Sequence, residues 1–413
     1  LGNILRDLGK SKEAEISTRK AIELKPDFAI AYLNLGLILK DRSELKEAEI
    51  SLRKAIEFKP DYANAYSNLG LILKDLGKLK EAEISLRKAI EFKQDYEIAH
   101  LNLGLILKDL GKSKEADYFF SKALYLTPNF YLALKNRWQF FFDKGEFALA
   151  LKDADSCNTK SSRAFALESL YALGKIDEIY KRIDKTSQID DTNIKLAAFS
   201  AFISAQERKN TSNNFCPNPL SFLYYSNLKS HVIDQPQFIR EIINELKDIE
   251  TVWSPKSQST NNGFQTPIDN NLFSNPTRKI SQVQSIISDE IEKYYIKYGK
   301  EKCSFIEKWP SHKNLVGWHV ILKKQGYQSA HIHPAGWLSG VIYLKVVPHL
   351  ERDEGAIEFS LNSVNYFNEN SPKLTFHPEL GDIVLFPSSL HHRTIPFSTD
   401  TDRIVMAFDL IPD

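Results

Sequence analysis

The chain has 413 residues, enough for two or three domains with separate cores, and its 54 basic and 53 acidic residues leave a formal net charge of +1. Charges so balanced and interleaved give no strong attraction to nucleic acid or to an anionic membrane surface. No run of eighteen apolar residues occurs, which excludes a transmembrane helix, and three scattered cysteines, Cys157, Cys216 and Cys303, suit a reducing, cytoplasmic setting rather than a disulfide framework or a zinc cluster. The first residues do not read as a signal peptide. They begin inside a repeat and without Met, so the sequence is expected to be part of a longer protein whose start could carry a targeting signal.

The N-terminal part is periodic. Gly2, Gly36, Gly70 and Gly104 are 34 residues apart, as are Ala14, Ala48, Ala82, Ala116 and Ala150, and as are Ala21, Ala55, Ala89 and Ala123. Pro26, Pro60 and Pro128 keep the same period, with Gln94 in the remaining slot. Small residues at fixed offsets allow two helices of one repeat to pack closely, Pro ends the second helix, and "DLGK" supplies the turn inside the repeat. This stretch resembles the tetratricopeptide family over residues 1–156. The resemblance implies an α-solenoid with a concave groove that binds a peptide or protein. Asn34, Asn68, Asn102 and Asn136 recur in "YLNLG", "YSNLG", "HLNLG" and "LKNRW". An Asn amide both donates and accepts, so a ladder of four can hold a peptide backbone without reading its side chains. The ladder is similar to the one in the repeats of O-linked N-acetylglucosamine transferases. The alternative is that Asn serves only packing and capping at this offset.

From residue 157 to 232 the period fails. "SSRAFALESLYALGKIDEIYKRI" and "DTNIKLAAFSAFISAQERK" still read as helices, expected as degenerate repeats that cap the solenoid and lead into a linker. Residues 233–413 form the third expected domain. It opens with an amphipathic helix, "QFIREIINELKDIE", followed by a polar segment, "TVWSPKSQSTNNGFQTPIDNNLFSNP", that reads as irregular. Another helix is expected near 279–299. Short segments rich in Val, Ile, Phe and Tyr follow: "LVGWHVILKK", "WLSGVIYLKVV", "GAIEFSL", "DIVLFP" and "RIVMAFDL". Bounded by Gly, Pro, Asn and Asp, they read as strands of a sandwich or barrel.

Within these strands "HIHP" sets His331 and His333 two apart, on one face of an extended chain. His391 and His392 follow in "LFPSSLHHRTIP", and Arg403 opens the last strand. Together "HIHP", "SGVIYL", "GAIEF", "GDIVLFPSSLHHRTIP" and "DRIVMAFDL" resemble the double-stranded β-helix (jelly roll) of the iron(II)- and 2-oxoglutarate-dependent oxygenases. The likeness is strongest to the branch fused to tetratricopeptide repeats and found in bacteria and phages. The resemblance covers residues 315–410 and implies Fe(II) and 2-oxoglutarate as cofactors and O₂ as cosubstrate. It implies His331 and the distal His392 as metal ligands, with His391 the less favoured choice. It also implies Arg403 as the partner of the distal carboxylate of 2-oxoglutarate, a role its planar fork suits. A structural ion pair of Arg403 with Asp400 or Asp402 is the competing assignment. The sequence departs from the family at two positions. His333 stands where Asp or Glu is usual, and Val405 where Ser is common. A three-His site, a two-His site with water, and a metal other than iron all stay open. The activity implied is hydroxylation of a C–H bond coupled to conversion of 2-oxoglutarate to succinate. The alternative is a repeat-based adaptor with an inactive or cupin-like metal-binding barrel.

Overall fold

The computed structural model describes residues 2–7, 10–42, 44–255, 258–267, 270–348 and 353–412. Two compact units divide at Asn158 and Thr159. The first consists of helix pairs: α1 (Gly2–Asp7) with α2 (Ser11–Leu24), α3 (Ala29–Asp41) with α4 (Leu45–Phe58), α5 (Ala63–Asp75) with α6 (Leu79–Phe92), α7 (Glu97–Asp109) with α8 (Ser113–Leu126), and α9 (Tyr131–Asp143) with α10 (Phe147–Cys157). The 34-residue period has a direct steric cause. A Cβ placed on Gly70 would lie 2.6 Å from Leu86 Cγ, and one on Gly104 would lie 2.7 Å from the Phe120 ring. Ala48, Ala82, Ala116 and Ala150 are fully buried at the same contacts. Gly77, Gly111 and Gly145 take φ near +75° in the intervening turns (77°, 74° and 75°), a conformation that costs other residues.

The second unit starts with α11 (Lys160–Ala172), α12 (Ile176–Thr186) and α13 (Ile194–Glu207). These helices cluster with the sheet in one compact unit. Tyr366 packs on Phe199 and Phe202 of α13 at ring distances of 5.1 and 4.7 Å, and Asn365 donates a 2.7 Å hydrogen bond to Glu168 of α11. These contacts are aromatic and long-range, so the repeat period carries no trace of them.

Burial pushes the Glu168 carboxyl up to about 7, against the opposing pull of the Asn365 hydrogen bond. The unfolded chain therefore releases this proton at lower pH than the folded one. Stability should fall as pH rises from about 4.5 toward 7 and level off above. At roughly 1.4 kcal/mol for each pH unit between the two values, the loss is at most about 3.5 kcal/mol. Glu168→Gln keeps the acceptor for Asn365 and should abolish this fall, so that in urea unfolding the variant gains on the wild type at pH 8 but not at pH 4. Equal gains at both pH values would show that the Glu168 proton is not the cause.

The sheet is antiparallel and curled, in the order β1 (Tyr224–Asn227), β8 (Asp382–Pro387), β5 (Leu338–Lys345), β10 (Arg403–Ile411), β4 (Asn314–His331), β9 (His391–Thr394), β6 (Ile357–Ser360) and β7 (Lys373–Phe376). This is the jelly-roll class of fold. The 18-residue β4 makes the curl: its first half pairs with β10 from Asn314 to Leu322, and its end pairs with β9 through Gln328 and His331. On β5 and β10 the two faces separate by alternation. Leu338, Ile342, Met406, Phe408 and Leu410 bury outward against α14 (Gln235–Leu246) and α15 (Arg278–Tyr298). Ser339, Val341, Tyr343, Arg403, Val405 and Asp409 share the opposite face, where Ser339 pairs with Asp409 and Tyr343 with Val405.

The polar segment after α14 departs from expectation. It forms β2 (Val252–Trp253) and β3 (Thr260–Gln265), with β3 lying along β4. Asn, Gly and Gln, most of β3, have little strand preference of their own; the free edge of β4 imposes the conformation. No helix among the described residues is long and apolar enough to cross a membrane.

Candidate functional site

β4 and β9 bring His331 and His392 opposite one another as a paired position. β4 ends at His331, so His333 lies just beyond the strand in the turn that Pro334 begins. The turn is held at both ends: the His333 amide donates to the Ser388 carbonyl (3.1 Å), and the Gly336 amide donates to the His333 carbonyl (3.0 Å). The three imidazoles converge. Ring centroids are 4.3 Å apart for His331 and His392, 5.1 Å for His331 and His333, and 5.0 Å for His333 and His392. One nitrogen from each ring lies within 4.8 Å of the others, a spacing at which the three could hold a metal ion. His391 points away, edge-on to Tyr366 at 5.7 Å, and takes no part in the cluster.

The second nitrogen of each ring is fixed by an acceptor. His331 Nδ1 meets the Ser329 carbonyl at 2.7 Å, His392 Nδ1 meets the Leu390 carbonyl at 3.2 Å, and His333 Nδ1 meets the Asp409 carboxylate at 2.6 Å. An oxygen acceptor requires an N–H, so each Nδ1 carries a proton and each Nε2 is the nitrogen left to face the cluster. Burial, aided by the neighbouring His333, pulls His331 down to about 3. Burial likewise holds His392 well below the ordinary imidazole range. Both rings are therefore neutral at physiological pH, the state a metal ligand needs. Ser259, at the start of β3, sets its hydroxyl 3.3 Å from His331 Nε2.

Arg403, the first residue of β10, is only 2% exposed. Its guanidinium lies 5.0 Å from the Tyr343 ring centroid. Among the described residues Arg403 Nε and Nη1 have no hydrogen-bond partner, and the Tyr343 hydroxyl has none apart from the Arg403 guanidinium beside it. Asp402 and Asp400 are engaged instead by Lys323 and Lys324, at 2.7 and 3.2 Å. A buried cation with no acid beside it among the described residues is a costly arrangement for the protein alone and one a bound carboxylate would satisfy. Burial also lowers the Arg403 pKa, while burial raises Tyr343 to about 12.

A cavity of about 520 Å³ opens beside the histidines, lined by Trp318, Gln258, Ser259, Gln328 and Ile332 among others. Sequence reading missed Gln258 and Ser259 because their segment has no periodicity. Trp318 and Tyr343 were available in principle from alternation along β4 and β5. In the first unit, Asn34, Asn68, Asn102 and Asn136 fall on α3, α5, α7 and α9 at one offset. Asn68 and Asn136 donate to carbonyls of their own helices, at Asn64 (2.8 Å) and Leu132 (2.7 Å), which satisfies their donors internally. Asn102 is buried and its Nδ2 has no partner.

Fold and site together define a helical repeat array joined to a jelly-roll domain with a three-histidine cluster. The comparisons put families to both parts. Residues 317–409 match the family described as "Putative 2OG-Fe(II) oxygenase". Residues 36–77 and 70–111 match a TPR repeat family, and residues 1–28 and 98–130 match another tetratricopeptide repeat family. The matches thus place tetratricopeptide repeats in the N-terminal part and a stretch similar to the putative 2OG-Fe(II) oxygenase family near the C-terminus. No curated protein matches it. Similar solved structures include MamA, 22% identical over 43% of this chain and 97% of that one, with a TM-score of 0.35. Pseudomonas aeruginosa pilF is 21% identical over 48% and 93%, with a TM-score of 0.40. PilW, a type IV pilus biogenesis factor, is 20% identical over 47% and 93%, with a TM-score of 0.42.

Proposed function

We propose that this protein is a non-haem Fe(II)- and 2-oxoglutarate-dependent oxygenase that hydroxylates a C–H bond in a peptide or protein held by its repeats. The observation that carries the reading is the buried, acid-free Arg403 on the same sheet face as the residues around the histidines. Three converging imidazoles, with His331 and His392 held neutral by burial, suit a divalent iron, and a guanidinium with open N–H groups suits a carboxylate. His331, His333 and His392 would hold the metal. Arg403, with the Tyr343 hydroxyl beside it, would hold the distal carboxylate of 2-oxoglutarate. Iron with 2-oxoglutarate and O₂ supplies the oxidising chemistry, at the expense of the cosubstrate, which leaves as succinate and CO₂. The protein's part is to fix the cosubstrate at its charged end, keep both imidazole lone pairs unprotonated, and seat the substrate in the cavity lined by Trp318.

The test is anaerobic titration of the full chain with Fe(II), with and without 2-oxoglutarate, followed by a succinate assay in air. Binding of both with succinate formation supports the reading. Metal binding with no response to 2-oxoglutarate points instead to a cupin-like or adaptor role, which the replacement of the usual carboxylate by His333 favours.

The repeats would present their groove to extended peptide through Asn34, Asn68, Asn102 and Asn136. Asn102, with its unpartnered buried amide, is the strongest candidate. Changing all four to Ala should lower affinity for captured peptides at least tenfold in a binding titration, while peptide-independent succinate formation stays unchanged. Unaltered affinity would leave the asparagines with packing alone.

A further inference from the structure

We propose that Asp409 is the positioning residue that supplies the metal centre with the negative charge its ligand set lacks, acting through His333. The proposal rests on the histidine reading above. It concerns the position where a carboxylate is usual and this chain has His333. A carboxylate is nevertheless present one layer further out. Asp409 Oδ1 receives the His333 Nδ1–H at 2.6 Å and the Ser339 hydroxyl at 2.6 Å. Ser339 in turn lies 2.8 Å from the Ser388 hydroxyl.

The fold holds this group firmly. Asp409 sits on the central strand β10, paired with Ser339 on one side and Val316 on the other. It is 8% exposed. Gly336 passes so close that an added Cβ would stand 2.6 Å from Ser388 Oγ and 3.1 Å from Asp409 Cγ. A side chain there would force Ser388 to shift and crowd the carboxylate, so the glycine leaves room for this arrangement.

A hydrogen bond from Nδ1–H to a carboxylate does two things to an imidazole ligand. It fixes the tautomer, so Nε2 alone faces the metal, and it makes Nε2 a stronger donor by drawing positive charge toward the carboxylate. His331 and His392 hand their Nδ1 protons to neutral backbone carbonyls, so among the three rings His333 is distinguished by an anionic acceptor. An Asp ligand brings its charge into direct contact with the metal. Here the His333–Asp409 pair delivers it through a ring. The two elements are far apart in sequence, and only the register of β10 against β5 and β4 brings them together.

The test uses the full chain free of metal and Co(II) as the probe, read by its visible absorption. Asp409→Ala should raise the Co(II) dissociation constant about 10- to 100-fold, the usual effect of losing such an outer partner. In ¹⁵N spectra of the imidazoles it should convert His333 from one tautomer to a mixture. Asp409→Asn keeps the shape and one acceptor oxygen. It should retain the single tautomer yet still lose Co(II) affinity, because the charge is gone. A residue that merely braced the turn would change melting behaviour without this split between tautomer and affinity. Co(II) affinity within twofold of wild type in Asp409→Asn overturns the charge assignment, and that variant decides the matter even if Asp409→Ala fails to fold. His331→Ala serves as the control on the underlying reading. If it binds Co(II) as wild type does, the histidine centre itself is wrong and Asp409 falls with it.

Discussion

His331→Ala and His392→Ala should each abolish stoichiometric Fe(II) binding, because the two form the paired position at which β4 meets β9 and, among the described residues, only His333 joins them there. His391 is adjacent in sequence but faces Tyr366 on the far side of the strand. His333→Ala should weaken binding by at least the roughly 10–100-fold typical of disturbing an outer partner. His333→Asp should restore part of it by offering an oxygen near the vacated position. The measurement is iron content after anaerobic dialysis against a mild chelator. Full retention in His333→Ala would remove His333 from the ligand set and leave a two-histidine site. Proton competition should matter little near neutrality. His331 is pulled down to about 3 by burial, and His392 is held low for the same reason, so neither ring has a proton to lose on binding metal. Affinity should therefore be nearly flat from pH 8 to 6 as far as these two ligands are concerned.

Arg403→Ala should leave iron binding intact and weaken 2-oxoglutarate binding more than a hundredfold. Removing one partner of a buried charge pair costs on the order of 3–5 kcal/mol, and about 1.4 kcal/mol corresponds to tenfold in affinity. Arg403→Lys should recover little, since a lysine cannot reproduce the planar two-pronged contact. Anaerobic calorimetry of the iron-loaded protein measures both. Wild-type affinity for 2-oxoglutarate in Arg403→Ala would show that the guanidinium holds something else. A second expectation separates the binding role from a structural one. Without a carboxylate, Arg403 is a desolvated charge with two unpartnered nitrogens. Arg403→Met should then raise, or at least preserve, the thermal stability of the protein free of cosubstrate. A clear drop would mean that the stacking on Tyr343 is what the arginine is for.

Much of this molecule was legible from residues alone. The repeat array follows from small residues spaced 34 apart, since the steric demand at Gly36, Gly70 and Gly104 is local to one helix pair and recurs with it. The strands that carry the site were readable from alternation, whereas the association of His331 with a histidine of the "LHH" segment came only from the family resemblance. The two-residue period also separates His391 from His392, because neighbours on a strand point to opposite faces. The same period could have marked Asp409. It lies six residues after Arg403 in "RIVMAFDLI", and so on the same face of the strand.

The tertiary structure decided the rest. Thr260–Gln265 became a strand because β4 had an edge to cover, and that placed Ser259 against His331. The helices after residue 159 joined the sheet through Phe199, Phe202 and Glu168, contacts with partners about 160 to 200 residues away in the chain. Arg403 could have paired with Asp400 or Asp402 on sequence distance alone. Strand β10 turns its side chain inward to Tyr343 and leaves the two acids to Lys323 and Lys324. Asp409 meets His333 only across strand register. Local sequence sets which face a residue occupies, because backbone geometry alternates side chains whatever lies around them. Which residues meet on that face depends on how strands from distant parts of the chain align, and no periodicity within a segment encodes that.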